Sequence, residues 1–76
     1  MIIYALIRRA IYGPRPDQVR DYTENHYATK ELAEAEVFRI LGEKATCEDW
    51  TFFDVYKSPD VPNVEYIIDP IVVQTK

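Results

Sequence analysis

The chain has 76 residues, of which 47% are hydrophobic and 29% are charged, and its formal net charge is −4. A chain of this length forms a single domain, residues 1–76, with a small core, because it buries only about 60% of the surface that its unfolded form exposes. The acidic balance argues against a general nucleic-acid binder, whose affinity comes largely from phosphates neutralised by Lys and Arg.

Cysteine usage and the N-terminal pattern indicate a soluble, cytoplasmic protein. Cys47 is the only cysteine, and a lone thiol in a small chain is more typical of a reducing compartment than of a secreted disulfide scaffold. The apolar start is followed by Arg8 and Arg9, which reverses the order of a signal peptide. No apolar run approaches the roughly 20 residues that span a bilayer, so we expect no membrane association.

The first two elements are predicted to be antiparallel strands. Residues 2–12 are apolar on both alternating faces at their start, which places this strand in the middle of a sheet. Residues 13–17 end it, because two prolines remove backbone donors. Residues 18–28 are polar on both sides and are predicted to form an edge strand, where charges discourage further strands from adding.

Residues 30–41 are predicted to form an amphipathic helix. The hydroxyl of Thr29 can cap the first turn, Glu31 complements the helix dipole, and Gly42 ends the helix. Four apolar side chains share an arc of about 100°, the width expected of a helix lying on a sheet. They are Ala33, Val37, Ile40 and Leu41.

Phe38 lies about 60° past Leu41 on the helical wheel, outside this apolar arc. Packing at the helix edge is favoured over full exposure. If Phe38 is exposed beside Glu34, it becomes the best single candidate for a partner contact.

The rest of the chain is predicted to be extended. After a polar connector that contains Cys47, residues 49–57 are rich in aromatic and β-branched side chains and form a third strand. Residues 58–63 form a loop, and residues 64–74 form a fourth segment that is interrupted at Pro70. The order β-β-α-β-β predicts the α+β class, an antiparallel sheet with one helix packed on one face.

A single helix covers only one face of a sheet, so we expect some aromatic side chains on the uncovered face. Another molecule is expected to cover them, because small monomers seldom leave contiguous aromatic rings in water. The rings considered are Tyr4, Tyr12, Trp50, Phe52 and Tyr56.

No catalytic, metal or cofactor site is predicted. The only histidine, His26, is interpreted as an edge residue facing water, and Cys47 lies in no nucleophile motif. Zinc and calcium spacings and a Gly-rich phosphate loop are absent from the sequence.

The charged clusters each leave an alternative open. Glu34 and Glu36 point about 160° apart, which favours a solvated helix face over a catalytic carboxylate pair. An acidic helix can also imitate a nucleic-acid backbone and occupy a partner's basic groove. Four arginines surround the first hairpin, as ordinary edge charges or, with Tyr12 and Tyr22, as a stacking platform for RNA. They are Arg8, Arg9, Arg15 and Arg20.

The segment HYATKELAEAE and the strand WTFFDVYK resemble small phage-encoded sheet-plus-helix proteins over roughly residues 1–57. In those proteins an edge strand ends in an aromatic-Ala/Ser-Thr/Ser-Lys-Glu-x-Ala helix start. The matching residues here are Tyr27, Ala28, Thr29, Lys30, Glu31 and Ala33. Several such proteins are anti-CRISPR or host-takeover inhibitors, so the resemblance implies an inhibitor that occludes a surface on a host machine.

The preferred hypothesis is a non-catalytic interaction protein, of phage or mobile-element origin, that binds and occludes a host protein or complex. The first alternative is a small-molecule-binding or enzymatic homodimer with a pocket between two sheets. The second is a nucleic-acid-binding module that uses the arginine hairpin, although nucleic acid is not the expected partner. The predicted partner-binding residues are Tyr4, Glu34, Phe38, Phe52 and Tyr56.

Overall fold

The computed structural model describes residues 1–49 and 54–74. In this part of the chain, five antiparallel strands form one sheet in the order β2-β1-β5-β4-β3, and one helix joins β2 to β3. The predicted α+β class and strand–helix order are confirmed. The elements are β1 Ile2–Ile11, β2 Val19–Tyr27, α1 Lys30–Leu41, β3 Thr46–Asp49, β4 Asp54–Ser58 and β5 Val61–Val72.

The first hairpin lies where the sequence pattern predicted it. The apolar strand β1 is inside the sheet, between β2 and β5, and the polar strand β2 is at the edge. The backbone N–H of Tyr12 donates to the carbonyl of Gln18, which closes the connection between the two strands.

A β-bulge in β2 changes which side chains share a face. Leu6 pairs with Asn25 and the next residue, Ile7, pairs with Thr23, so Glu24 is an extra residue in β2. Strict alternation along β2 would put Tyr27 on the face opposite Tyr22. Because of the bulge, both side chains lie on the same face.

The C-terminal half differs from the prediction in its strand boundaries. The single strand predicted over residues 49–57 is wrong, because β3 ends at Asp49 and β4 begins at Asp54. Cys47 lies in β3, not in a connector. Trp50 and Phe52 lie outside the described residues.

The predicted interruption at Pro70 is also wrong. Strand β5 runs through Pro70, which pairs with Tyr4 of β1. The last residue of β5 that pairs with β4 is Ile68, so within the described residues the missing N–H of Pro70 falls beyond the β4 ladder. The predicted loop 58–63 is reduced to the turn between Ser58 and Val61.

Both predicted ends of α1 are confirmed. The N–H of Leu32 donates to the hydroxyl of Thr29 at 3.2 Å, and Gly42 adopts a φ of 83°, which favours glycine at a helix C-terminus. The predicted apolar arc is correct for Ala33, Val37 and Leu41, which are buried. Ile40, by contrast, is exposed.

One buried cluster contains side chains of the helix and of three strands. Leu6 of β1 lies opposite Ile68 of β5, and Tyr56 of β4 lies opposite Tyr66 of β5. We call the face that carries these four side chains the core face. They form one buried cluster with the helical residues Ala33, Val37 and Leu41.

The predicted spread of rings over both faces of the sheet is wrong for the described strands. Tyr4 pairs with Tyr27, and Tyr66 lies across from Arg8, which in turn pairs with Tyr22. With alternation along each strand, this register puts every described strand tyrosine on the core face. The exposed rings among the described residues are Tyr12 and Tyr22 of the first hairpin and Phe38 of the helix.

Candidate interaction surface

One side of α1 lies along β4 and carries an exposed ring. The ring of Phe38 meets the ring of Tyr56 edge to face, with centroids 5.7 Å apart and an interplanar angle of 89°. Tyr56 is only 1% exposed, whereas Phe38 is 43% exposed. Phe38 thus packs at the helix edge on its inner side and faces solvent on its outer side.

The hydroxyl of Tyr56 connects this ring pair to a carboxylate. It donates to Oε2 of Glu34 at 2.9 Å, and Glu34 lies one helical turn before Phe38 on the same side of α1. One further turn back, Lys30 forms an ion pair with Asp54 of β4. The row of residues 30, 34 and 38 therefore fixes this side of the helix against β4.

The exposed part of this side forms a stripe, defined here as the Phe38 stripe: Glu31, Glu34 and Phe38. These residues are spaced i, i+3, i+7, so they follow one another along the helix surface. Within residues 1–49 and 54–74, no Lys or Arg forms an ion pair with Glu31 or Glu34. By contrast, Glu36 on the far side hydrogen-bonds Arg39, which lowers the pKa of that carboxyl group.

Burial determines the chemistry of Tyr56. Loss of solvent raises the pKa of its phenol well above the ordinary value, and the nearby Glu34 carboxylate and Cys47 thiol act in the same direction. The hydroxyl is therefore a protonated donor throughout the physiological pH range. Burial likewise raises the pKa of Tyr66.

We expect the protein to lose stability as the pH rises above about 10, the ordinary tyrosine pKa. When folding raises the pKa of a group, the group adds its full contribution to the free energy of unfolding at pH values below its pKa in the unfolded state. That contribution falls as the pH rises toward its pKa in the folded state. The slope is about −1.4 kcal/mol per pH unit for each proton retained only in the folded state. Urea unfolding followed by circular dichroism from neutral pH to about pH 11 measures it.

The matched variant for this pH experiment is Tyr56→Phe. It keeps the ring and removes the buried phenol, so its unfolding midpoint should fall less between neutral and alkaline pH than that of the wild type. An equal fall in both proteins would show that Tyr56 does not carry the effect.

The predicted partner-binding residues fall into three groups. Phe38 and the half-buried Glu34 are together on the Phe38 stripe. Tyr56 is only 1% exposed and contacts Phe38 through its ring and Glu34 through its hydroxyl. Tyr4 is half-buried against the core cluster, and Phe52 lies outside the described residues.

The geometry keeps the two candidate reactive side chains apart. His26 is in β2 and Cys47 is in β3, at opposite edges of the sheet. Four strand spacings of about 4.8 Å separate them by roughly 19 Å, which is too far for a nucleophile–base pair. Among residues 1–49 and 54–74, no three His, Cys, Asp or Glu side chains converge as metal ligands.

Arg8 and Arg9 lie on opposite faces of β1. The guanidinium of Arg8 lies 4.9 Å from the ring centroid of Tyr22, and its Nε is 2.6 Å from Glu24. Arg9 hydrogen-bonds Asp21, which lowers the pKa of that carboxyl group. Sequence alternation did not reveal that Arg20, Tyr12 and Tyr22 surround a common hollow.

No protein-family model, curated protein or solved structure gives a significant match to the chain. In the part of the chain that the structure describes, no helix has the length and apolar character needed to cross a bilayer.

Proposed function

We propose that this chain is a non-catalytic interaction protein that binds a larger protein through the Phe38 stripe and thereby occludes the surface it covers. The observation that carries the proposal is an exposed aromatic ring held in place from beneath, the contact of Phe38 with the buried Tyr56. We take the helix to be packed across the core face, in keeping with the buried cluster that Ala33, Val37 and Leu41 share with the strands.

A ring fixed before binding is a good anchor. Immobilising a side chain at an interface costs about 0.5–1.5 kcal/mol, and a ring already packed on a buried neighbour avoids part of that cost. Large aromatic side chains near the centre of an interface often dominate its binding energy. Phe38 meets both conditions, because its inner edge is packed and its outer surface is free for an apolar pocket of the partner.

The charges next to the ring define the partner's chemistry. Glu31 and Glu34 place two carboxylates on the same stripe, and the chain as a whole carries a net charge of −4. A surface with a basic rim around an apolar groove would complement the Phe38 stripe and speed the encounter. The i, i+3, i+7 spacing puts the two carboxylates and the single apolar anchor, Phe38, on the same side of the helix.

Affinity capture with matched variants tests this proposal. Immobilised wild-type protein, Phe38→Ala and Leu32→Ala are incubated with lysate of the source organism, and bound proteins are quantified by mass spectrometry. Leu32 is 55% exposed and lies about 120° from Phe38 around the helix. We expect one protein to be retained by the wild type and Leu32→Ala and to be lost with Phe38→Ala.

A third variant, Glu34→Gln, separates the charge from the packing. Its amide oxygen can still accept the hydrogen bond of Tyr56, so the ring pair should stay in place while the negative charge is removed. We expect slower association and weaker capture than for the wild type. Equal capture by all four proteins would rule out the Phe38 stripe as the binding surface.

A further inference from the structure

A second surface lies at the other end of the first hairpin, beyond the buried cluster. A hollow of about 320 Å³ opens there on the core face and is lined by Ala10, Tyr12, Arg20 and Tyr22. Arg20 is directly across from Ala10 in the β1–β2 pair, and Tyr12 and Tyr22 form the ends. The small side chain of Ala10 leaves the space between the larger ones open.

Both rings of this hollow are exposed, and the Tyr22 ring is also held by a neighbouring cation. Tyr12 is 65% exposed and Tyr22 is 41% exposed. The guanidinium of Arg8 lies over the Tyr22 ring, with 4.9 Å between its central carbon and the ring centroid. A ring held by a cation on one side offers a defined surface for stacking by a ligand.

The order of these groups along the strands is specific. Tyr22 is level with Arg8, Arg20 is level with Ala10, and Tyr12 is two residues further along β1. The backbone position of Arg20 is therefore between those of Tyr22 and Tyr12, whose levels are about 13 Å apart along the strand direction. A base, a phosphate and a second base follow one another in this order in a dinucleotide.

Charge pairing leaves Arg20 available to an anion. Residues 8–24 carry four arginines and three carboxylates, a local sum of +1. The three carboxylates pair with the other arginines, as Arg8–Glu24, Arg9–Asp21 and Arg15–Asp17. No carboxylate within the described ranges forms an ion pair with Arg20.

We propose that this hollow binds single-stranded nucleic acid through one dinucleotide step, with a base stacked on Tyr22, the linking phosphate at Arg20 and a base stacked on Tyr12. The site is separate from the Phe38 stripe and adds an activity beyond the proposed function. The net charge of −4 disfavours binding along a long phosphate backbone, but a site with one available arginine needs only one phosphate.

Fluorescence anisotropy with a labelled oligothymidylate of about ten nucleotides tests the proposal at low salt. We expect measurable binding that weakens at least about fivefold in Tyr12→Ala, because each stacked base is worth a factor of this size or more. Tyr12→Phe should bind like the wild type, since it keeps the ring. Arg20→Gln should bind more weakly, and Arg15→Gln, which removes an arginine outside the hollow, should not.

The salt dependence gives a second readout. A single neutralised phosphate in a single strand predicts a slope of about −0.7 in a plot of log K against log salt, and Arg20→Gln should reduce that slope toward zero. Double-stranded DNA of the same length should bind more weakly, because its bases are not free to stack on the rings. Phe38→Ala should bind the oligonucleotide as the wild type does, which separates this site from the Phe38 stripe.

Several results would overturn the proposal. The first is the absence of oligonucleotide binding at low salt. The second is an affinity of Tyr12→Ala and Arg20→Gln equal to that of the wild type. The third is an affinity for double-stranded DNA equal to that for the single strand. If thymidine monophosphate displaces the oligonucleotide at a similar concentration, the hollow is a site for a free nucleotide instead. If the wild type binds no oligonucleotide and Tyr12→Ala fails to capture a protein that the wild type captures, the hollow is a protein interface instead.

Discussion

Replacing Tyr56 with alanine is expected to remove a large part of the protein's free energy of unfolding. The side chain is 1% exposed, and removing a buried aromatic ring typically costs about 3–5 kcal/mol. A domain of 76 residues has a free energy of unfolding of only about 4–11 kcal/mol. The variant also removes the inner support of Phe38 and the donor to Glu34, so urea unfolding by circular dichroism should give a much lower midpoint.

The control for this prediction is Tyr56→Phe. It keeps the ring and removes one hydrogen bond, which is worth about 0.5–1.5 kcal/mol. Because Glu34 is half-exposed, water can replace the lost donor, and the variant should stay folded. A midpoint for Tyr56→Ala close to that of the wild type would contradict the burial on which the Phe38 stripe depends.

Placing a carboxylate at Val37 is expected to have the second large effect. Val37 is 0% exposed and belongs to the buried cluster. A charged group without a partner in such a place costs several kcal/mol, because it loses its water without gaining hydrogen bonds. Val37→Asp should therefore be largely unfolded, as judged from chemical-shift dispersion in an NMR spectrum and from urea unfolding.

Ala35→Asp is the matched control. Ala35 is exposed and lies about 160° around the helix from Val37, so the same new side chain faces water. The expected cost is about 1 kcal/mol or less, mainly from helix propensity. If the two aspartate variants lost equal stability, the helix would not be packed through its Ala33–Val37–Leu41 side.

Features that depend on neighbouring residues were predictable from the sequence. The helix could be predicted to the residue, since Thr29 and Gly42 supply their capping chemistry locally. The inner position of β1 followed from apolar side chains on both its faces, and the edge position of β2 followed from its charges.

Features that depend on long-range pairing were not predictable. The extra residue Glu24 in β2 reverses the alternation for the residues after it, and only the register with β1 reveals this. Likewise, β5 continues through Pro70, and its pairing there with Tyr4 of β1 is a long-range contact that no local pattern indicates. The burial of Tyr56 and the position of the strand tyrosines on one face likewise depend on how the strands pair, which the local sequence does not show.

These differences change where a partner is expected to bind. The prediction placed it on an uncovered sheet face with many rings, whereas the described rings of the strands all lie on the core face. Among the exposed rings, Phe38 on the helix is packed on a buried ring, Tyr56, and this contact is why we place the partner there. The central claim is therefore that Phe38 is a pre-positioned anchor.

Titration calorimetry of the captured partner with wild type, Phe38→Ala and Leu32→Ala tests this claim most directly. We predict that Phe38→Ala lowers the affinity by about 2 kcal/mol or more, roughly thirtyfold, as expected for an anchor residue. Leu32→Ala removes a similar exposed apolar area on the other side of the helix and should change the dissociation constant by no more than about twofold. Wild-type affinity in Phe38→Ala, or an equal loss in both variants, would contradict the claim.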